Sequence, residues 1–269
     1  MLTAGPRVVW FHWMQGRAAM PPVPAACLAS WERRNPDWEV VFVDGDSVWQ
    51  YLDRAAMPVD ALLQTSPQVY ANAVRLKLLA THGGLWADAT TWCVTPLSDW
   101  LTGMPGGFFA FAAPAPDRLL SNWFLAAERN SYLVATLAEA YIGVFRRFGP
   151  LTLMPEATVD QALAGASSTD VLVEPVLNGD CREYPYYFFH YLFAHLCRRD
   201  DRFRRIWEGS GRLSADASHD AQRLDLTGPA DASIRQRLDA IRAHVHKLVW
   251  KIDPIPPGSV LDAIVTGQR

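Results

Sequence analysis

A glycine pair followed by a short apolar run and an aspartate constrains the fold of this chain more than any other stretch. Residues 83–93 read GGLWADATTWC, and they follow the apolar, helix-forming run ANAVRLKLLATH at 71–82. Two glycines suit the end of a helix, because glycine adopts the left-handed backbone found there at little cost. Residues 85–87 then predict a short buried strand, which ends at Asp88. Open α/β sheets bind their ligands at this end of their strands.

Strand and helix patterns alternate in the first half of the chain, whereas helical patterns dominate the second half. The predicted strands are residues 7–13, 38–43, 85–87, 107–112 and 122–127. The predicted helices are residues 25–34, 48–52, 69–82, 131–148, 158–163, 185–198 and 233–250, with a long polar loop at 209–231. Alternating strands and helices imply an α/β fold with a mainly parallel central sheet flanked by helices and a mostly helical C-terminal half.

Length and composition limit both the architecture and the partners. The 269 residues, half of them hydrophobic, suffice for a single domain over 1–269, with an α/β part at 1–130 and a helical part at 131–269. A net charge of -3 gives no electrostatic footprint for nucleic acid. The N-terminus lacks the pattern of a signal peptide, and no run approaches the roughly 20 apolar residues of a membrane span. We therefore expect a cytoplasmic protein, with peripheral membrane contact through the aromatic residues 184–197 left open.

Several polar residues are expected to converge near Asp88. Asp44 also follows a predicted strand, and Asn72 and Arg75 share one face of the helix before Gly83 because they are three residues apart. Taken alone, Asp88 could be a turn residue. An arginine beside a carboxylate that holds a metal ion would instead match a nucleoside diphosphate.

The segment from Asn72 to Thr90 resembles a known enzyme family. It is similar to the pattern S/A-D-x-x-R followed by Y/H-G-G-hydrophobic-aromatic-x-D-x-D/T of GT-A glycosyltransferases with a DxD motif. The nearest resemblance is to capsular polysaccharide synthesis proteins, related to α-mannosyltransferases and clostridial toxin glucosyltransferases. Further similar stretches, in the same order, are RVVWFHWMQG at 7–16, CLASW at 27–31, NPDWEV at 35–40, NWFLA at 122–126, YFFHY at 187–191 and HKL at 246–248.

The resemblance implies a GT-A-like fold and a specific reaction. A sugar would pass from a nucleotide-diphosphate donor, UDP- or GDP-linked, to a glycan or other hydroxyl acceptor, with retention of anomeric configuration, in polysaccharide or glycoconjugate biosynthesis. Mn²⁺ or Mg²⁺ would be held by Asp88 and Thr90. Two positions depart from the family pattern: Asn72 replaces an acid, and the neutral Thr90 replaces the second acid of the DxD motif. One carboxylate would then carry most of the metal binding.

The resemblance also assigns roles to individual residues. Asp88, Arg75 and Lys247 are the expected catalytic residues. The expected donor-binding residues are Trp10 and Trp13 (base stacking), Asp44 (ribose), Asn72, Arg75, Asp88, Thr90 and His246. The candidate acceptor-binding residues are Asn122, Trp123, Asp160 and His190. Each has a structural alternative: core packing for the aromatic residues and His190, a turn for Asp44, and an exposed helix end for His246 and Lys247.

Other function classes stay open at this point. A metal-dependent phosphohydrolase would need more acidic or histidine ligands than one strand-end aspartate. A catalytically inert protein that binds nucleotide sugars is compatible with the weakened motif. A dinucleotide-binding dehydrogenase is excluded, because no G-x-G-x-x-G follows the first predicted strand.

Overall fold

The computed structural model describes residues 7–267, and at their centre lies a six-stranded sheet. The strands are β1 Val8–His12, β2 Glu39–Val43, β3 Gly84–Ala87, β4 Thr91–Cys93, β5 Phe108–Ala115, β6 Arg118–Ala127, β7 Thr152–Leu153, β8 Glu183–Tyr184, β9 Gly211–Ser214 and β10 Val245–Lys247. The helices are α1 Pro22–Arg34, α2 Val59–Thr65, α3 Pro67–His82, α4 Leu97–Trp100, α5 Tyr132–Phe148, α6 Glu156–Leu163, α7 Asp170–Asn178, α8 Phe188–Arg199, α9 Asp201–Gly209, α10 Asp216–His219, α11 Ala232–Ala240 and α12 Val260–Thr266. The N-terminal residues 1–6, part of the stretch used to judge a signal peptide, lie outside the described residues.

The central sheet has the strand order β2-β1-β3-β6-β5-β9. β1 is parallel to β2 and β3, and β5 is parallel to β9. β6 runs antiparallel to both β3 and β5. Three of the five pairings are therefore parallel, which confirms the predicted mainly parallel sheet flanked by helices.

Each face of the sheet is covered by its own hydrophobic core, because side chains alternate along a strand. Trp10 and Trp86 point into the core formed with α3, α5 and α8. Phe11 and Leu85, their neighbours in sequence, point into the opposite core with α1 and α12. The sheet thus lies between two helical layers, and its strand ends remain available to build a site.

The turn from α3 into β3 depends on two glycines. Ser66 caps the N-terminus of α3 by accepting a hydrogen bond from the Val69 N–H with its side chain, and Gly83 caps the C-terminus. Gly83 and Gly84 have φ values of 70° and 93°, which are strained for residues with a Cβ. A Cβ on Gly84 would lie 2.7 Å from the carbonyl oxygen of Val8 in the neighbouring strand. The glycines therefore let β3 pack directly beside β1.

Replacing Gly84 by alanine should lower the free energy of unfolding by about 2–3 kcal/mol, because the new methyl group is strained and meets backbone. Urea denaturation would measure the loss. Gly143→Ala is the matched control, since a Cβ there meets nothing within 4 Å in the middle of α5. That control should be neutral or stabilising, because alanine favours a helix over glycine. Equal stability of the Gly84 variant and the wild type would contradict the prediction.

Two sequence predictions for the C-terminal half are wrong. The predicted helix at 233–250 ends at Ala240, and Val245–Lys247 form β10, which pairs antiparallel with β4. The predicted loop at 209–231 contains β9 and α10. The two strands have one cause: long-range pairing with β4 and β5 overrides the local pattern of these segments. The short segment at 48–52 is also not α-helical, because a 3-10 helix spans Ser47–Gln50.

The aromatic helix α8 lies inside the protein. Nine of its twelve residues are buried, including Phe188, Phe189 and Phe193. Its aromatic surface is therefore used for packing, which removes the basis for peripheral membrane contact through this helix. Among residues 7–267, no helix is long and apolar enough to span a bilayer.

Candidate active site

The carboxyl ends of three parallel strands meet at one edge of the sheet. β1 ends at His12, Asp44 follows β2, and Asp88 follows β3. The backbone N–H of Asp88 donates to the Trp123 carbonyl oxygen at 2.9 Å. The Asp88 carbonyl oxygen accepts from the Thr91 N–H at 2.9 Å and from the Thr91 hydroxyl at 2.6 Å. These bonds fix the backbone on both sides of Asp88 and so hold its side chain at the sheet edge.

Three side chains, from α3, β3 and β10, hold the Asp88 carboxylate. Its Oδ1 accepts from Arg75 Nη2 at 2.5 Å and from Trp86 Nε1 at 2.8 Å. Its Oδ2 accepts from Lys247 Nζ at 3.1 Å. The Asp88 side chain keeps 26% of its surface exposed, whereas Arg75 keeps 4%. The structure therefore brings the three expected catalytic residues together and leaves the carboxylate accessible.

Asn72 positions the Arg75 guanidinium. Arg75 Nη1 donates to Asn72 Oδ1 at 2.7 Å, and Asn122 Nδ2 donates to the same oxygen at 3.1 Å. The Asn72 amide nitrogen in turn donates to the Tyr141 hydroxyl at 3.3 Å. The guanidinium also lies 4.9 Å from the ring centre of Trp86, a distance suited to a cation–π contact. The neutral amide at position 72 therefore orients Arg75 without cancelling its charge.

The cluster around Asp88 carries more positive than negative charge. Burial raises the pKa of the Asp88 carboxyl, but the charges of Arg75 and Lys247, together with hydrogen bonds from Trp86 and Lys247, hold the pKa below its usual value. Burial lowers the pKa of Arg75, and Asp88 opposes that effect. A guanidinium nevertheless stays protonated in proteins. Two cations thus surround one carboxylate, and the resulting positive charge suits an anionic ligand.

Lys247 reaches the cluster from β10. Its backbone is opposite Thr91 in the β10–β4 pair, and the Leu248 N–H donates to the Thr90 carbonyl oxygen at 2.7 Å. Lys247 Nζ donates to Thr90 Oγ1 at 2.6 Å, in addition to its bond with Asp88. The family resemblance predicted Lys247 as a catalytic residue, whereas the local sequence pattern predicted a helix at this position. The strand is what brings the ammonium to the Asp88–Thr90 turn.

His12 is a site residue that the sequence analysis missed. It is 8% exposed, and its ring centre lies 6.0 Å from that of Trp86 and 6.1 Å from that of Tyr70. Burial, followed by the charge of Arg75, lowers the pKa of His12 to about 4. Within residues 7–267 its Nε2 has no hydrogen-bond partner. The predicted first strand ran to Trp13, whereas β1 ends at His12. The structure therefore places His12 at a strand end, close to where Asp88 follows β3.

His12 should make the protein less stable at mildly acidic pH. Its pKa is 6.5 ordinarily and about 4 when folded, so the unfolded chain binds a proton first as the pH falls. Its contribution to stability is complete above pH 6.5 and is lost as the pH falls towards 4. Between pH 7.5 and 5.0 we expect a loss of about 2 kcal/mol from this group.

Urea unfolding of the wild type and His12→Gln at the two pH values measures this contribution. The pH-dependent loss should be smaller in the variant by about that amount, because glutamine does not titrate. Burial also lowers the pKa of His190, to about 3, but His190 is present in both proteins and its effect cancels. The same pH dependence in both proteins would contradict the assignment.

The two tryptophans proposed for base stacking have different environments. Trp10 is 3% exposed, and its Nε1 donates to the Gly83 carbonyl oxygen at 2.9 Å. This environment favours core packing for Trp10. Trp13 follows β1, is half-buried, and has its ring centre 6.0 Å from that of the exposed Trp250. Trp13 is therefore the better placed of the two for a base.

Asp44 closes a turn at the same edge of the sheet. Its Oδ1 accepts from the backbone N–H of Asp46 at 3.1 Å and from the N–H and hydroxyl of Ser47 at 2.7 and 2.8 Å. The Ser47 N–H is the main reason that the pKa of Asp44 lies below its usual value. Asp44 thus has a structural role in the turn, and contact with a ribose stays a prediction.

Two of the predicted histidines lie in the interior. His246 is completely buried, and as the strand neighbour of Lys247 it points to the opposite side of β10. His190 Nδ1 donates to the Leu120 carbonyl oxygen at 2.9 Å, and the residue is 7% exposed. These environments favour packing roles for both histidines.

The other acceptor candidates are spread over the protein. Asn122 is half-buried and belongs to the Asn72 network. Trp123 is 5% exposed and stacks on Phe111 with a centroid distance of 4.9 Å. Asp160 is exposed on α6, and no hydrogen bond between it and the Asp88 cluster exists in the described chain. Only Asn122 therefore lies within the network around Arg75.

Asp88 Oδ2 and Thr90 Oγ1 form the predicted place for a divalent cation. Both oxygens converge on one cationic atom, Lys247 Nζ. Carboxylate and hydroxyl oxygens are also suitable donors for Mg²⁺ or Mn²⁺. The residues fit such an ion if the ammonium group moves aside.

A second group of metal-ligating residues, not predicted from the sequence, lies on α7 and α8. Ligand atoms of Asp170, Glu174 and His195 are within 4.8 Å of one another. Asp170 accepts from Arg198 at 2.5 Å and from His195 at 2.7 Å, and Glu174 pairs with Arg199. Ion pairs already balance both carboxylates, so this group is explained as a bridge between the two helices.

The chain is similar to known proteins over the part that contains the site. The sequence model of a family described as capsular polysaccharide synthesis protein matches residues 3–147. The O-glycosyltransferase braB of Annulohypoxylon truncatum is 28% identical over 155 residues, which cover 49% of this chain and 36% of that protein. The match thus spans about a third of the length of this relative.

A solved structure, the PaToxG Glycosyltransferase, aligns with a TM-score of 0.42 and 13% sequence identity. The alignment covers 76% of this chain and 86% of that chain. The family model matches the sequence itself, and the matched residues include β1, α3, β3 and the Asp88–Thr90 turn.

Proposed function

Because the chain belongs to the capsular polysaccharide synthesis protein family, we propose that it is a glycosyltransferase that uses a nucleotide-diphosphate sugar as donor. The glycosyltransferase name of the relative braB supports the general activity. The acceptor would be a hydroxyl group of a glycan or another molecule, in the synthesis of a polysaccharide or glycoconjugate.

The observation that carries this proposal is the cluster of Arg75, Asp88 and Lys247 at the carboxyl ends of β1 and β3. Arg75 and Lys247 donate to the two different oxygens of Asp88 at 2.5 and 3.1 Å. A planar guanidinium and a mobile ammonium are the side chains that bind phosphate oxygens best. The cluster carries a positive charge that a diphosphate would neutralise.

The chemistry that we propose needs stabilisation of a leaving group. The acceptor oxygen forms a bond to the anomeric carbon while the bond from that carbon to the diphosphate oxygen breaks. The departing diphosphate oxygen takes the acceptor proton, so that no separate base is required. Arg75 and Lys247 stabilise the negative charge that grows on the diphosphate. Retention of anomeric configuration fits this scheme. A covalent double displacement would use two carboxyl groups, whereas Asp88 supplies the one carboxylate of this cluster.

Asp88 and Thr90 are the residues that we propose to hold Mn²⁺ or Mg²⁺. When bound, the ion would supply positive charge to the diphosphate. Oδ2 of Asp88 and Oγ1 of Thr90 would face it, while Oδ1 stays with Arg75 and Trp86. Asp88 would therefore both bind the ion and orient Arg75.

A donor screen followed by a transfer assay tests the proposal. Thermal unfolding would be measured with a panel of UDP- and GDP-sugars in the presence of Mn²⁺, and a shift with one base would identify the donor class. Transfer would then be measured with that donor and a panel of hydroxyl acceptors. Release of sugar or phosphate without transfer to any acceptor would favour a hydrolase. A shift without any turnover would favour an inert binding protein, and the absence of any shift would contradict donor binding.

A further inference from the structure

The ammonium group of Lys247 occupies the place that a metal ion would need beside Asp88. Lys247 Nζ lies 3.1 Å from Asp88 Oδ2 and 2.6 Å from Thr90 Oγ1. An ion bound by the same two oxygens would lie about 2.0–2.6 Å from them, between the two. The ammonium and the ion therefore cannot occupy the site together.

The other oxygen of Asp88 does not offer an alternative place for an ion. Oδ1 accepts from Arg75 Nη2 at 2.5 Å and from Trp86 Nε1 at 2.8 Å. The Arg75 side chain is only 4% exposed, so it has no room to withdraw into solvent. An ion that approaches Asp88 must therefore compete with Lys247 for Oδ2.

The net charge of the Arg75, Asp88 and Lys247 cluster controls whether a metal ion can displace Lys247. Two cations and one carboxylate give the cluster a charge of about +1, which opposes a further divalent cation. An ion that arrives with a nucleoside diphosphate brings negative charge with it and removes that opposition. A displaced ammonium can then bind the same diphosphate.

Displacement needs a change in the Lys247 side chain only. β10 is fixed to β4, with Lys247 opposite Thr91, and Leu248 donates to the Thr90 carbonyl oxygen at 2.7 Å. The flexible four-carbon stem of lysine can rotate while this backbone stays in place. The ammonium therefore remains tethered next to the position that it leaves.

We propose that Lys247 excludes free divalent cations from the Asp88–Thr90 site and gives up its place only when the cation arrives with a nucleoside diphosphate. This inference rests on the proposed function, in which the donor carries a diphosphate. It makes Lys247 a residue that couples metal binding to donor binding.

Titration of the full chain with MnCl₂, followed by the electron paramagnetic resonance signal of free Mn²⁺, tests this inference. Lys247→Met should bind Mn²⁺ alone about tenfold or more tightly than the wild type, because one positive charge leaves the site. The wild type should bind Mn²⁺ well only with UDP or GDP present. Lys247→Gln is a second neutral variant in case the methionine variant does not fold.

The controls locate the effect. Lys251→Met removes an exposed lysine four residues later and should leave Mn²⁺ binding unchanged. Adding Asp88→Asn to Lys247→Met should abolish the gain, which would separate this site from the Asp170, Glu174 and His195 group.

Two results would overturn the inference, and they have different consequences for the proposed function. Equal affinity of the wild type and both Lys247 variants for Mn²⁺ alone would show that Lys247 does not compete, while donor binding in the thermal screen would still stand. No Mn²⁺ binding by any variant, with or without UDP or GDP, would also overturn it and would remove the metal from the site. The transferase proposal would fail only if the nucleotide-sugar screen were negative as well.

Discussion

Replacing Asp88 by asparagine is expected to reduce sugar transfer by about a thousandfold while the protein still folds. The amide oxygen can still accept from Arg75 and Trp86, which donate to Oδ1 in the wild type. The amide nitrogen would face Lys247 in place of Oδ2 and would repel it. The variant therefore loses the negative charge that binds a cation and orients the two basic groups. Initial rates of transfer with the identified donor would measure the effect.

The matched control for this change is Asp99→Asn on α4. Asp99 is also an aspartate but is exposed. It should keep full activity, and circular dichroism should show the same fold for both variants. Wild-type rates in a folded Asp88→Asn protein would exclude Asp88 from the site.

Replacing Arg75 by methionine is expected to have the second largest effect, on stability as well as on function. Arg75 links Asp88 to Asn72, and its removal leaves both groups without their main donor. We expect a loss of about 3 kcal/mol in the free energy of unfolding, at the lower end for a broken buried pair because Asp88 is partly exposed. Urea denaturation would measure this loss.

Arg75→Lys separates the role of Arg75 in donor binding from its role in folding. Lysine keeps the charge but cannot donate to two partners from one rigid plane. The variant should fold and bind the donor about tenfold or more weakly in calorimetry. Lys77→Met is the control, since Lys77 is a cation on the same helix and is half-buried. Unchanged donor affinity in Arg75→Lys would leave Arg75 with a structural role only.

The sequence predicted the centre of the site because its parts are local. Asn72 and Arg75 share a helix face, the glycine pair ends that helix, and Asp88 follows the next strand. Helical spacing and strand-end logic are sufficient to place these residues at one edge. His12 also lies at the carboxyl end of a strand, β1, but it stands within an aromatic stretch and was not predicted as a site residue.

The remaining parts of the site depend on contacts that a local pattern cannot show. Lys247 is separated from Asp88 by 159 residues, and β10 exists because it pairs with β4. The local pattern predicted a helix over 233–250, and the strand at Val245–Lys247 forms only through pairing with β4. Trp10 and Trp13 look alike in sequence, and only the packing of Trp10 against Gly83 and the exposure of Trp13 distinguish them.

The family match ends at residue 147, but the architecture does not divide there. β9, from residues 211–214, completes the central sheet beside β5, and Lys247 comes from later still. A fragment cut after α5 would expose the edge of β5 and would lack one of the three charged groups around Asp88. Such a fragment should aggregate through its open edge. The part that matches the family model is consequently not independent of the rest of the chain, and an exchange of that part between proteins would have to include β9 and β10.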